Sequence, residues 1–479
     1  MWKWLNESLT QFRSCFTRRK TFCIFVIIVI GLMLRSDHLG VTSIVRELCL
    51  TDNVYMSMLH FFRSTAWNLF AIRKHWLYIL KSTPLAIKEG EKYILTNDGI
   101  KASKEGRKMP GVMKHHQESE NSAKGEYIHG HLFGGLSMLM GNNTKQYAVL
   151  ISLRIHSGIE AIQKWMGKPD ENYNNEGSHV TKSILDAFEA VKILGSSILL
   201  LDRLYLTRPM LETLRSVPEL CLSVVTKAKS NATAYFYPGA YKGRGAKAKK
   251  GEPVKVGSFF TTHSAYFTDA KVMMYGEMQE IKYFCIDLLW GKGLYMPLRF
   301  ILTIMDGTKS ILVATDLSMT PTQIIRLYSY RFKIEFSFRE LKQVIAGFSY
   351  HFWSKVMPKL KRYKKNDVNQ NEIENITDQR SRKLIVSTTR AIEAFVQFSA
   401  IALGLLQLVS LFFGKEITDG SNRFMRTVSN STPSERTVAD YMRKNLLHLF
   451  VFFPNLPIVS IIRDRQKRLY DNSEDDVAG

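Results

Sequence analysis

Thr322 to Ala346 reads TQIIRLYSYRFKIEFSFRELKQVIA, and the fold class turns on how that stretch is read. At 3.6 residues per turn, Tyr328, Arg331, Glu335, Arg339 and Lys342 fall within a sector of roughly 80°. An adjoining face carries Ile334, Phe338 and Leu341, apolar residues suited to packing. The spacing predicts an amphipathic helix with one charged and aromatic face. Taken alone, that face has a plainer account: a solvated stripe laced by i,i+4 pairs such as Glu335 with Arg339.

Two further carboxylates favour a functional face. Asp98 closes the run Tyr93-Ile94-Leu95-Thr96-Asn97-Asp98 before Gly99, and Asp202 closes Ser197-Ile198-Leu199-Leu200-Leu201-Asp202. Both runs read as strands, and a lone Asp in such a place commonly serves a turn or a cap. Acids leaving the ends of buried strands are also well placed to converge at one rim of an α/β sheet. With Glu335 they form a candidate set of three.

Working outward, the pattern divides the chain into five parts. Residues 1–88 read as a helical DNA-binding region. Within it Leu39 to Leu80 is compatible with a helix-turn-helix, capped at Thr42 or Ser43 and broken at Thr51-Asp52-Asn53. That reading sets Arg46, His60 and Arg63 near DNA; an ordinary helical hairpin is the alternative. Residues 89–225 read as an α/β core, with strands at Tyr93–Thr96, Glu126–Met140 and Tyr147–Ile155, a helix at His179–Leu194 and a buried strand at Ser197–Leu201. Residues 226–315 read as a β-strand insertion that includes Ile281–Leu289 and Leu298–Met305. Residues 316–415 return to helix and carry Glu335, and 416–479 form a helical tail whose acidic end from Asp471 is expected to fray.

Composition narrows the function. With 479 residues and 45% hydrophobic content the chain can bury a full core, which excludes simple disorder. Against 43 Asp+Glu stand 66 Lys+Arg, a formal charge of +23 that favours a polyanionic partner through phosphate neutralisation. Basic residues cluster at Tyr241–Lys255 (Lys242, Arg244, Lys247, Lys249, Lys250, Lys255) and at Lys355–Lys365. The first cluster is either a backbone-tracking loop or a solvated one.

Other classes find less support. Five scattered cysteines (Cys15, Cys23, Cys49, Cys221, Cys285) contain no CxxC pair, which argues against a zinc module or a disulfide framework and fits a reducing cytosol. Phe22–Leu34 is short for a membrane span. Ala394–Phe413 is interrupted by Gln397, Ser399, Gln407 and Ser410, so both are expected as buried helices. His115-His116 and His129-Gly130-His131 are expected as hydrogen-bonded histidines rather than metal ligands. No phosphate-binding G-x-x-x-x-G-K-[ST] loop occurs, so an ATP-driven motor is unsupported.

Tyr328-x2-Arg331-x3-Glu335-x6-Lys342 resembles, at every spacing, the Y-R-E-K signature of bacterial insertion-sequence transposases with a DDE active site. Asn97-Asp98-Gly99 with the following Gly106-to-Val112 stretch is similar to the first Asp region of that family, and Leu201-Asp202-Arg203 to the second. The likeness runs from about Lys92 to Phe413 and extends to the β-rich segment. Its Gly243-Arg244-Gly245 is similar to a basic glycine-rich stretch of some relatives, without their proline.

The resemblance implies an RNase H-like α/β catalytic core interrupted by a β insertion, with Asp98, Asp202 and Glu335 as catalytic metal ligands. The expected cofactor is a pair of Mg²⁺ ions, replaceable by Mn²⁺, because phosphodiester cleavage at two metals calls for hard oxygen ligands. Arg331 and Lys342 would hold phosphates, as would Arg339, Arg203 and Arg244; Tyr328 would bond a phosphate or stack on a base. Trp290, beside Gly291-Lys292-Gly293, is a candidate for the place of a flipped base, with a core role as its alternative. The expected partners are double-stranded DNA, both the terminal inverted repeats of an element and its target, and a second copy of the chain. No membrane partner is expected, and the expected location is the bacterial cytoplasm at the nucleoid. The rival readings are a host or decayed metal-dependent endonuclease and a non-catalytic DNA-binding protein.

Overall fold

Continuous burial along Tyr93–Asn97 and along Ser197–Leu200 is the mark of a sheet flanked on both sides. In the computed structural model these segments lie next to each other. The structure describes residues 1–117, 125–142, 144–166, 177–241, 243, 246–360, 370–420 and 432–467.

Among the described residues, thirteen strands form one mixed sheet. In chain order they are β1 (Lys88–Glu89), β2 (Lys92–Ser103), β3 (Met113–His116), β4 (Tyr127–Gly141), β5 (Gln146–Ile155), β6 (Ser197–Leu200), β7 (Leu222–Lys227), β8 (Thr233–Tyr235), β9 (Pro253–Lys255), β10 (Thr268–Met274), β11 (Glu277–Trp290), β12 (Met296–Met305) and β13 (Thr308–Ala314). The order across the sheet is β3-β4-β2-β6-β7-β13-β12-β11-β8-β9, with β5 on β4, β1 on β2 and β10 on β11. Only β2–β6 and β6–β7 are parallel.

Parallel pairs need crossovers, and helices supply them. The helix His179–Leu194 precedes β6; Ser178 caps it by accepting from the Thr181 amide, and Gly195 ends it at φ 89°. Between β6 and β7 runs Arg208–Ser216, capped by Thr207 with a proline in its first turn. Ile94, Ile198, Leu200, Val225, Leu312 and Ile324 belong to one fully buried cluster, which ties β2, β6, β7 and β13 to the helix Pro321–Ser329.

Two readings of local structure differ from the sequence expectation. Asp98 does not end a strand: β2 continues to Ser103, because β4 pairs with it throughout, Asp98 opposite Gly135 and Gly99 opposite Gly134. The ladder with β6 does stop at Thr96 and Leu200, so Asp98 lies beyond the end of that neighbour. The Thr322–Ala346 stretch is a helix Pro321–Ser329, a tighter 3₁₀ turn at Tyr330–Phe332 and a helix Lys333–Gln343.

The chain divides into two compact units. One holds Leu80–Lys104 and Met113–Phe338, and with them the whole sheet; the other holds Met1–Ile79, Glu105–Val112 and Arg339–Gly479. The second is helical. Its long helix Gln379–Asp419 starts on Asp378, whose carboxylate accepts from the Arg380 and Ser381 amides, and leaves helical geometry at Phe413. This is the one described helix long and apolar enough to cross a membrane, and 89% of its most apolar window is buried inside the protein. Phe22–Leu34 is also buried at every position, and Phe25 meets Phe398 edge-on at 5.2 Å.

The expected helical pair appears as Val41–Glu47 and Asp52–Arg63. Gly40, not Thr42 or Ser43, stands at the first cap. Lys242, Arg244 and Gly245, the cluster Lys361 to Lys365 and the acidic tail from Asp471 lie outside the described residues.

Candidate active site

Asp98 sits in β2 with its side chain half-buried, and Arg331 reaches it: Nη1 lies 3.4 Å from Asp98 Oδ2, while Nη2 donates to Glu335 Oε1. The guanidinium thus stands between two of the three acids. Glu335 and Arg331 meet because they are four residues apart on helical backbone. The helix reaches the sheet through Phe338, whose ring lies where a Cβ on Gly135 would stand, and Gly135 is the cross-strand partner of Asp98.

Asp202 follows β6 and opens a 3₁₀ turn, Arg203–Tyr205. Its carbonyl accepts from the Tyr205 amide at 3.0 Å and from the Thr226 hydroxyl at 2.9 Å, which fixes the backbone and leaves the carboxylate unspent in capping. The acids feel one another. Burial pushes the Asp98 carboxyl up to about 6 against the pull of Arg331, and both Asp202 and Glu335 add to the rise. Tyr328 faces the same charges: its hydroxyl is raised by burial, with Arg331, Asp202 and Asp98 all acting on it.

This donor set fits a divalent cation chemically, since hard, mutually repelling carboxylates are what such an ion neutralises. Among the described residues, no three His, Cys, Asp or Glu side chains converge closely enough to share one ion. The positive charge the acids face here is that of Arg331.

The remaining predicted residues are spread more widely. Arg203 and Trp290 line one cleft with Arg208, Lys229, Lys292 and Tyr235, so the half-buried strand-end tryptophan shares that cleft with four cations. Lys250 lies over the Tyr235 ring at 4.2 Å and adds a fifth. Arg339 is exposed and turned to its neighbour Glu340 at 2.8 Å. Lys342 is exposed two turns beyond Glu335, and Arg244 lies outside the described residues.

Several neighbours of the site went unread in the sequence. Tyr275 occupies the tip of the β10–β11 hairpin, 64% exposed, with φ 55° ahead of Gly276 at φ 92°; it too acts on Tyr328. That left-handed pair is a two-residue hairpin turn, and Tyr-Gly between two strand-like runs was its available signal. His156, His179, Asp186 and Tyr205 form a buried polar chain behind β2. The histidines set aside in the sequence are engaged otherwise: His115 Nε2 lies 3.2 Å from the Gly130 carbonyl, and burial holds its pKa down to about 4.

The family model for the transposase DDE domain matches residues 170–355. That stretch of the chain is similar to a transposase DDE domain. The match takes in Asp202, Arg331 and Glu335 and begins after Asp98. No curated protein and no solved structure matches the chain. The mixed α/β sheet with its helices is consistent with such a domain, and a transposase-type activity on DNA, of the sort that generally uses divalent metal, goes with the DDE family.

Proposed function

We propose that this protein is an insertion-sequence transposase that cuts and rejoins DNA at the ends of its element, with Asp98, Asp202 and Glu335 as its catalytic carboxylates. The observation that carries the reading is Arg331: one guanidinium meets Asp98 from β2 and Glu335 from the following helix, and Asp202 is near enough to raise the same Asp98. On this reading β2, β4, β5, β6 and β7 with their helices are an RNase H-like core, β8 to β13 its insertion, and residues 1–88 and 416–479 the flanking helical regions.

Asp98, Asp202 and Glu335 would hold the metal, two Mg²⁺ ions or Mn²⁺ in their place. When bound, the ions supply hydroxide at neutral pH and stabilise the leaving oxygen of the phosphodiester. The chain's own groups do the rest. Arg331 offers a planar fork for a phosphate once a ligand draws it from the acids, and Lys342 a point charge. Tyr328, kept protonated by its raised pKa, donates a hydrogen bond to a phosphate oxygen. The cleft of Arg203, Arg208, Lys229 and Lys292 tracks a backbone while Trp290 and Tyr235 present ring faces to a base. A homodimer on paired ends, acting at the nucleoid, completes the proposal.

Labelled terminal repeats incubated with the protein and Mg²⁺ test it. Nicked ends followed by joined product are expected; cutting without joining would leave a nuclease. Asp202→Asn is expected to bind the same duplex with an unchanged Kd and to cut nothing, and undiminished cutting by that variant would remove Asp202 from the site.

A further inference from the structure

Behind β2, on the face away from Asp98, runs a buried chain of polar groups that ends on the residue next to it. Asp186 Oδ1 accepts from Arg154 at 3.2 Å, and its Oδ2 lies 3.0 Å from His156 Nε2. His156 Nδ1 meets His179 Nδ1 at 2.8 Å; His179 Nε2 meets the Tyr205 hydroxyl at 2.9 Å; Tyr205 donates to Asn97 Oδ1 at 3.4 Å. Burial holds the His179 pKa down to about 3, so the ring is neutral and accepts at one nitrogen while donating at the other. With Tyr205 donating to Asn97, its oxygen accepts from His179 Nε2, and His179 Nδ1 accepts from His156. All four ring nitrogens are spent inside the chain, which leaves none for a metal.

The sheet is cut to admit these rings. A Cβ on Gly99 would come within 2.8 Å of His179 Nε2, and one on Gly134 would run into the His156 imidazole. Gly99 and Gly134 are cross-strand partners, so the two bare positions lie side by side beneath the histidine pair. Side chains alternate along a strand, so Asn97 and Gly99 face the histidines while Asp98 faces Arg331.

Tyr205 is the junction. Its side chain is bonded to Asn97, the neighbour of Asp98, and its own amide closes the turn that begins at Asp202. We propose that Tyr205, clamped from behind by His179, His156 and Asp186, is a positioning residue that fixes the Asp98 strand against the Asp202 turn and so sets the spacing of those two carboxylates for metal. The proposal rests on the reading of Asp98 and Asp202 as metal ligands. Groups behind the ligands of a metal site typically change affinity about 10- to 100-fold when removed.

Mn²⁺ titrated calorimetrically into the full chain without DNA supplies a readout other than activity. Tyr205→Phe, which removes one oxygen, is expected to weaken Mn²⁺ at least about tenfold and to raise by a similar factor the Mn²⁺ needed for half-maximal cutting. Its Kd for duplex DNA should stay unchanged. His179→Gln, which keeps a donor and an acceptor near Tyr205, should fall between Tyr205→Phe and the parent. Asp202→Asn is the control. If the parent binds no Mn²⁺ that Asp202→Asn loses, the ligand reading fails and takes this proposal with it. If the parent binds such Mn²⁺ and Tyr205→Phe binds it equally well, with or without a lower melting temperature, the hydroxyl is plain packing and only the positioning role is overturned.

Discussion

On one face of β2, Asp98 meets Arg331 and, through it, Glu335; on the other face, one residue away in either direction, Asn97 meets Tyr205 and Gly99 lies under His179. The first face holds its acids at unfavourable charge, with Asp98 raised to about 6 by burial and by its acidic neighbours. The second spends its imidazole nitrogens and the Tyr205 hydroxyl on one another, and of its polar atoms Asn97 Nδ2 stays buried without a partner. A strand that must present a strained cluster on one side thus gains its rigidity from a satisfied network on the other, which is the division of labour expected where function costs stability.

The sharpest way to break that division is to overfill the satisfied face. Gly134→Ala puts a methyl group into the His156 ring, and because the contact is with a ring hydrogen-bonded on both sides, the ring has nowhere to go. Overpacking of this sort costs about 1–3 kcal/mol. Urea unfolding should show the loss, and an unchanged midpoint would mean that the histidine pair is loosely held and the contrast between the faces is weaker than drawn.

Acid should erode the fold through its buried histidines, one in that network and one on β3. Burial lowers the folded pKa of His179 to about 3 and of His115 to about 4, both below the ordinary histidine value of 6.5. The unfolded chain therefore binds more protons below pH 6.5, and the stability these rings lend to the fold is complete above 6.5 and lost as pH falls toward 4 and 3. Each ring contributes a slope of at most about 1.4 kcal/mol per pH unit in that window. His156, Asp186, Lys182 and Lys101 all act on His179, and the first and last two favour the neutral ring. Denaturant midpoints at pH 7 and pH 5 should differ in the parent and differ less in His115→Gln; equal slopes would show that His115 titrates normally.

Much of this was legible before the fold. Asp202 could be read as leaving a buried strand because Ile198–Leu201 is apolar without interruption, and the Glu335 helix because its apolar and charged residues fall on separate faces. Asp98 was placed correctly in the strand but at the wrong point of it. Asn-Asp-Gly carries turn chemistry, yet a long partner strand with glycines of its own at 134 and 135 overrides it. The 3₁₀ turn at Tyr330–Phe332 has no periodic signal, since Ser329, Tyr330 and Lys333 keep helical backbone angles through it and the hydrogen bonding tightens. The histidine chain was not legible at all. His156 and His179 are 23 residues apart and Tyr205 a further 26, and their pairing follows from where β5, the next helix and the Asp202 turn come to lie.

The smallest expected effect asks whether DNA is held only at the acidic face or also along the cleft beside it. Arg203 follows Asp202 directly, is exposed, and shares the cleft with Lys292 and Trp290. If it neutralises one phosphate, Arg203→Ala should lower the slope of log K against log salt by about 0.9 and weaken duplex binding modestly, equally for element-end and unrelated sequences. Because the side chain projects from the Asp202 turn without belonging to the network of Tyr205, the variant should keep the parent's Mn²⁺ affinity. A full salt slope in Arg203→Ala would confine backbone contact to other cations and leave the cleft a feature of the fold. A lost slope together with weakened Mn²⁺ would mean that the turn moves as one piece, so that the ordered rear of the sheet does not hold Asp202 as firmly as its hydrogen bonds suggest.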